Sequence, residues 1–171
     1  MSEPGITERD WHALYVRLER PLYNLAYRYA WDRHDAQDTV HDAFLQLWAS
    51  RGRIRADTAN RYLWTSVLNL SRKRRRWRRT KSFLYGEEAL RELATSGSLE
   101  SEIAASQEHR ILYRAIDRLS EKLRGVLLLT EFGDMSYDAI AELLSVPAGT
   151  VASRRNIALK QLHSDLEGRL R

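Results

Sequence analysis

Cysteine is absent from the 171 residues, which excludes a disulfide framework and any thiolate metal site. Long apolar runs are absent as well, and none approaches the roughly 20 residues that cross a bilayer. The N-terminal stretch MSEPGITERD is polar and acidic, unlike a secretory signal. These absences predict a soluble, cytoplasmic chain with no membrane insertion. Alternating strand patterns and internal repeats are also missing. What is present is globular rather than disordered: 43% hydrophobic and 30% charged residues. The net charge of +5 and the isoelectric point of about 9.7 point to a polyanionic partner, either nucleic acid or an acidic membrane face.

The charge is segregated along the chain. Residues 1–50 are slightly acidic. From Arg51 to Lys81 the chain is heavily basic, with Asp57 the only acid and a peak at Arg72-Lys73-Arg74-Arg75-Arg76-Trp77-Arg78-Arg79. Residues 82–108 swing back to acidic through Glu87, Glu88, Glu92, Glu100, Glu102 and Glu108, and hold Ser96-Gly97-Ser98. This composition predicts a domain over 1–80, a flexible acidic linker over 81–108 and a second domain over 109–171.

Helical periodicity runs through both halves, so the expected class is all-α with two small helical domains. Trp11, Leu14, Tyr15 and Leu18, then Leu22, Leu25, Ala26 and Tyr29, recur at three- and four-residue steps. Pro21 suits the first turn of a new helix, where its missing N–H costs nothing. Asp35 reads as the N-cap of a helix reaching about Ser50, with Val40, Ala43, Phe44, Leu47 and Trp48 as its apolar stripe. Residues 51–58 read as a loop. A further helix buries Tyr62, Leu63, Val67 and Leu70 and continues into the basic run. The second half predicts helices over about 109–120, 121–131, 136–144 and 149–166, with Ser120 and Ser136 as N-caps and Gly133-Asp134 as a turn.

The segment Tyr137–Arg154 has the build of a helix-turn-helix. Ala141 is small enough for a close helix crossing, Ile140, Leu144, Val146 and Val151 supply a shared core, Pro147 breaks the register, and Gly149-Thr150 opens a second helix. Ser153, Arg154, Asn156 and Lys160 form a polar outer face able to bond base edges or phosphates. A plain helical hairpin is the alternative. Upstream, Trp64 to Arg79 joins aromatic and basic residues on one helix, suited to phosphates and unpaired bases. The alternative there is a solvated charged face, with Trp64 and Trp77 as core residues.

One cluster suggests different chemistry. His34, Asp38, His41 and Asp42 fall at helical steps of four, three and one, and imidazole with carboxylate suits a transition metal. No second histidine–carboxylate pair completes a dinuclear site, since His109 and His163 are isolated, so no metal or other cofactor is assigned. An acidic helical face that docks on a protein partner is the competing reading.

Together these strings resemble the extracytoplasmic-function (ECF) sigma factors of the sigma-70 family. The resemblance is carried by Asp35-Ala36-Gln37-Asp38-Thr39-Val40-His41-Asp42-Ala43-Phe44-Leu45-Gln46-Leu47-Trp48, then Tyr62-Leu63-Trp64 to Asn69-Leu70, then Ser136-Tyr137-Asp138-Ala139-Ile140-Ala141, and finally Gly149-Thr150-Val151-Ala152-Ser153-Arg154. It implies a non-enzymatic subunit that directs core RNA polymerase to promoters. Asp35, Asp38, Asp42, Phe44 and Gln46 would dock on the clamp helices of the largest polymerase subunit. Gly52, Arg53, Asn60, Trp64 and Asn69 would capture the −10 strand, with Arg72, Lys73, Arg75, Arg76 and Arg79 on its backbone. Tyr137, Thr150, Ser153, Arg154, Arg155, Asn156 and Lys160 would read the −35 duplex while the domain rests on the polymerase flap. An anti-sigma factor is a further implied partner.

The chain departs from the family pattern in places. Gln37 stands where Glu is usual, and His41-Asp42 replace Gln-Glu. Thr39, beside the lost carboxylate, is a candidate phosphorylation site that would restore the charge. Lys73 stands where Asp is common, and Ser120 where Pro is common. Ile157 and Leu159 occupy positions that are often Arg. Three other functions compete: a stand-alone helix-turn-helix regulator, a metal-dependent helical enzyme, and a partner-switching protein that never meets DNA.

Overall fold

The computed structural model describes the backbone at residues 5–94 and 107–167, and side chains at 5–81 and 111–167. The chain divides into two compact units, Met1–Thr80 and Lys81–Arg171. Among the described residues every regular element is a helix, apart from an isolated bridge between Gly5 and Arg55. The all-helical class expected from the periodicity is the one adopted.

In the first unit, α1 spans Glu8–Ala30, α2 Arg33–Ala49 and α3 Ala56–Ala94. A capping box opens α1: the Thr7 hydroxyl accepts from the Asp10 amide, and the Asp10 carboxylate accepts from the Thr7 amide. The hydrogen bonds from Thr7 hold the Asp10 carboxyl below its usual value. Pro21 does not begin a new helix; α1 runs through it. Leu14 and Leu18 before it, and Leu22, Leu25, Ala26 and Tyr29 after it, are all buried on one side, so packing along both halves offsets the lost hydrogen bond.

The cap of α2 also differs from expectation. Asp32, not Asp35, is the N-cap, and its carboxylate accepts from the Asp35 amide at 2.9 Å. Trp31, left-handed at φ 52°, makes the sharp corner between α1 and α2. The expected loop over 51–58 is shorter, because helix resumes at Ala56 and places Asp57 and Asn60 in the opening of α3. Ala59, Leu63, Trp64, Val67 and Leu68 then bury the inner face of α3 alongside Ala36, Val40, Ala43, Phe44 and Leu47 of α2. The helix carries past Thr80 to Ala94, through the first part of the stretch read as a linker. The remainder of that stretch, with Ser96-Gly97-Ser98, lies outside the described residues.

The second unit holds α4 (Gln107–Arg118), α5 (Glu121–Phe132), α6 (Tyr137–Leu144) and α7 (Ala148–Glu167). Ser120 and Ser136 are the N-caps anticipated for α5 and α6, accepting from the amides of Leu123 and Ala139. Helix α7 packs against α4, α5 and α6, burying Val151, Ala158 and Leu162. Ala141 is buried at the α6–α7 crossing along with Ile140, while Leu144 and Val146 are half-buried. Ser145 ends α6 in the left-handed region at φ 54°, and the Val146 amide reaches back to the Ala141 carbonyl at 3.0 Å. Pro147 then offers its carbonyl to the amides of Thr150 and Val151, starting α7.

Candidate nucleic-acid interfaces

The loop between α2 and α3 is held from below. The Ile6 amide donates to the Arg51 carbonyl at 3.0 Å, and a Cβ on Gly5 would collide with that same carbonyl. Only a residue without a side chain allows this approach. Arg51 donates to the Trp48 carbonyl and lies 4.4 Å above the Trp48 ring. At the other end Arg55 grips Asp57 with two hydrogen bonds, which hold the Asp57 carboxyl below its usual value. Gly52 and Arg53 are exposed at the tip, with open space around Gly52.

Along α3 the basic run splits into two faces. Asn69, Arg72, Arg76 and Arg79 recur at steps of three, four and three, forming one stripe; Asn69, Arg76 and Arg79 are exposed and Arg72 is half-buried. Lys73, exposed, and Arg75, half-buried, flank it. Arg74 and Arg78 do not belong to this stripe. They continue the inward sequence Leu63, Val67, Ser71 and turn onto α2. Arg74 reaches Asp42 at 2.7 Å and Asp35 at 3.5 Å, with Asp38 at 3.9 Å. Arg78 pairs with Asp35, lies 3.5 Å from Asp32, and donates to the Ala30 carbonyl at 2.9 Å. The acidic face of α2 is therefore partly neutralised from within. Asp38 keeps the most exposed carboxylate of the set, at 69%.

Four sequence assignments need correction. Trp64 is 3% exposed and belongs to the core, so it offers no stacking platform; Trp77, at 59%, is the exposed tryptophan of α3. Phe44 is 1% exposed, in edge contact with Trp11 and Tyr15, and its side chain is not on a docking surface. Thr39 is 1% exposed, and its hydroxyl donates to the Asp35 carbonyl at 2.6 Å, so a kinase would have to unfold α2 to reach it. Arg155 is committed elsewhere, as described below. Gln46 is exposed, and Leu45, not singled out by the sequence, is 51% exposed beside it. Its spacing from Asp38 and Asp42 could have flagged it. His34 and His41 are exposed, and among the described residues no histidine–carboxylate group has metal-binding geometry.

In the second unit α7 shows a sharp division. Val151, Ala158 and Leu162 mark its inner side, and Ser153, Asn156, Ile157 and Lys160 are exposed on the opposite side. Thr150 and Arg154 are half-buried on the flank. Arg155 is turned back onto α5, where Nε donates to Glu131 Oε1 at 2.8 Å and Nη2 lies 2.8 Å from the same oxygen. The hydrogen bond to Glu131 raises the Arg155 pKa further above its normal value, and the Tyr137 hydroxyl adds to the same cluster. Arg155 thus ties α7 to α5 and α6, its guanidinium engaged by Glu131 rather than turned outward with Ser153, Asn156 and Lys160.

Buried Arg124 escaped the sequence reading. It is 2% exposed, donates to the carbonyls of Ile116, Asp117 and Leu119, and pairs with Glu121 at 3.0 Å. It thereby satisfies the open end of α4. The only hint in the sequence is its place inside Leu123-Arg124-Gly125-Val126-Leu127.

The geometry defines a helical protein with a basic stripe in one unit and a helix-turn-helix in the other. Residues 14–81 match the family model for sigma-70 region 2, and residues 109–162 match that for sigma-70 region 4. Together the two matches cover well over half of the chain, which belongs to the sigma-70 family as an RNA polymerase sigma factor of the ECF type. The RNA polymerase sigma-H factor of Pseudomonas aeruginosa is 28% identical, over 96% of this chain and 90% of that protein. The ECF sigma factor SigE of Mycolicibacterium smegmatis is 30% identical over 92% of this chain and 62% of its own length. Among solved structures, CnrH in complex with the cytosolic domain of CnrY superposes with a TM-score of 0.68 at 21% identity, covering 95% of this chain and 90% of that one. RpoE of Bartonella quintana, in complex with the anti-sigma factor NepR, superposes at 0.64 and 19% identity, covering 93% and 98%.

Proposed function

We propose that the chain acts in the cytoplasm and selects promoters by dividing the work between its units, while core polymerase supplies all bond-forming chemistry. Asp38, Asp42, Gln46 and exposed Leu45 form the face offered to the clamp helices. Gly52, Arg53 and Asn60 lie at the loop and helix opening that receive the −10 strand. Asn69, Arg72, Lys73, Arg75, Arg76 and Arg79 follow its backbone. Tyr137, Thr150, Ser153, Arg154, Asn156 and Lys160 meet the −35 duplex. The observation that carries this reading is the outward stripe Asn69–Arg72–Arg76–Arg79, which lies on a different side of α3 from Arg74 and Arg78, the two arginines turned onto the acids of α2. An anti-sigma partner fits the same reading, since the Bartonella quintana neighbour was solved with one.

The test is reconstitution with sigma-free core polymerase on fragmented genomic DNA. Discrete transcription starts are expected. Asp38→Lys with Asp42→Lys should abolish core binding, and Asn69→Ala with Arg76→Ala should abolish starts while core binding persists. Failure of the wild-type chain to bind core polymerase would sink the reading.

A further inference from the structure

The outward side of α7 is short of charge for a surface that reads DNA. In its first turns Ser153, Asn156, Ile157 and Lys160 are exposed on that side, and Lys160 is the one lysine or arginine among them; His163, Ser164 and Glu167 follow in the last turns, with His163 3.1 Å from Glu167. Arg155 is held by Glu131 at 2.8 Å, and Arg154 is half-buried on the flank. Guanine is read in the major groove chiefly by Arg or Lys donating to O6 and N7, adenine by the paired donor and acceptor of Asn or Gln, and thymine by apolar contact with its methyl group. Ile157 is 47% exposed. A single exposed isoleucine is ordinary on a protein surface. Ile157 stands beside exposed Asn156 on the outward side of the second helix of a helix-turn-helix, the helix that enters the major groove in this motif.

We propose that Asn156 and Ile157 set the base preference of this unit, selecting adjacent A·T pairs, with adenine under Asn156 and a thymine methyl under Ile157. The inference rests on the −35 reading above and adds which bases are chosen and by which residues. Arg155 is a positioning residue in this scheme: it fixes the angle of α7 through Glu131 and Tyr137 and carries no base information.

The experiment is selection from a promoter library randomised upstream of a fixed −10 element, using holoenzyme reconstituted with the full chain. Wild type should enrich adjacent A·T pairs. Ile157→Ala should reduce thymine preference at one position by roughly five-fold or more, and Ile157→Arg should move that position towards guanine. Asn156→Ala should relax the neighbouring adenine. Arg155→Gln should lower yield on all sequences and leave the preference unchanged. Circular dichroism and thermal melting of each variant separate misfolding from altered reading. Enrichment of G·C pairs, or the wild-type preference retained by folded Ile157→Arg, would overturn the proposal while leaving the sigma reading intact. Absence of initiation from any library member would overturn both.

Discussion

Arg124 illustrates how one side chain can decide a local structure. Its guanidinium fills a buried site at the end of α4, donating to the carbonyls of Asp117 and Leu119 and adding a second bond to the Ile116 carbonyl, which also accepts from the Leu119 amide at 3.2 Å. Methionine has similar bulk but no donors, so Arg124→Met takes the buried donor away from the Asp117 and Leu119 carbonyls and removes the charge that Glu121 pairs with. The expected loss is about 3–5 kcal/mol, read from chemical denaturation of the second-unit transition. A loss below about 1 kcal/mol would mean that water replaces the guanidinium. Ser71 gives the opposite case. It is 4% exposed, and its hydroxyl lacks a hydrogen-bond partner. Ser71→Ala removes a desolvated donor and improves helix propensity, so it should leave stability unchanged or raise it by up to about 1 kcal/mol. Destabilisation would reveal a bound water on that hydroxyl.

At the scale of elements, the decisive feature is the inward turn of Arg74 and Arg78. The helices themselves were legible because apolar residues recur every three or four positions in each. The N-caps Ser120 and Ser136 were legible because Ser immediately before an apolar-periodic run supplies the missing acceptor. The facing of the arginines was harder to read, since the apolar markers of α3 give out near Ser71 and a run of cations has no visible inside. Extending the Leu63–Val67 spacing by turns of the helix leads to Arg74 and Arg78, so the information was present without its apolar label. Pro21 and Asp35 misled for a different reason: packing on both sides of Pro21 and the corner at Trp31, which makes Asp32 the N-cap of α2, are tertiary facts. The arginine pairs link α3 to α2 and, through Ala30, to the end of α1. Arg74→Ala should therefore cost about 1–2 kcal/mol, a figure discounted for partial exposure, with the effect shrinking at high salt. Arg76→Ala, on the outer stripe, should change stability by less than about 0.5 kcal/mol. Equal losses from the two substitutions, measured by urea unfolding at low and high salt, would contradict the division of faces.

For the whole molecule, the proposed function divides affinity and selectivity between the two units, and the distribution of charge makes that division testable. The first unit presents Lys73, Arg76 and Arg79 to solvent, whereas the outward side of α7 in the second presents Lys160 as its one exposed lysine or arginine. Phosphate contacts release counterions and make binding steeply salt-dependent, while contacts with base edges do not. Salt titration of holoenzyme on a promoter therefore distinguishes the two kinds of contact without a structure of the complex. Replacing both Arg76 and Arg79 with glutamine should flatten the slope of log K against log salt by about 1.4, given roughly 0.7 per phosphate on a single strand. Contacts with duplex would flatten it by about 1.8 instead, so the size of the change also reports whether the strand at this stripe is melted. Asn156→Ala and Ile157→Ala should lower affinity at all salt concentrations and leave the slope where it was. If the arginine replacements leave the slope untouched, the stripe does not lie on phosphate and the basic run serves only the fold. If instead the α7 substitutions flatten it, the second unit grips the backbone more than it reads the bases.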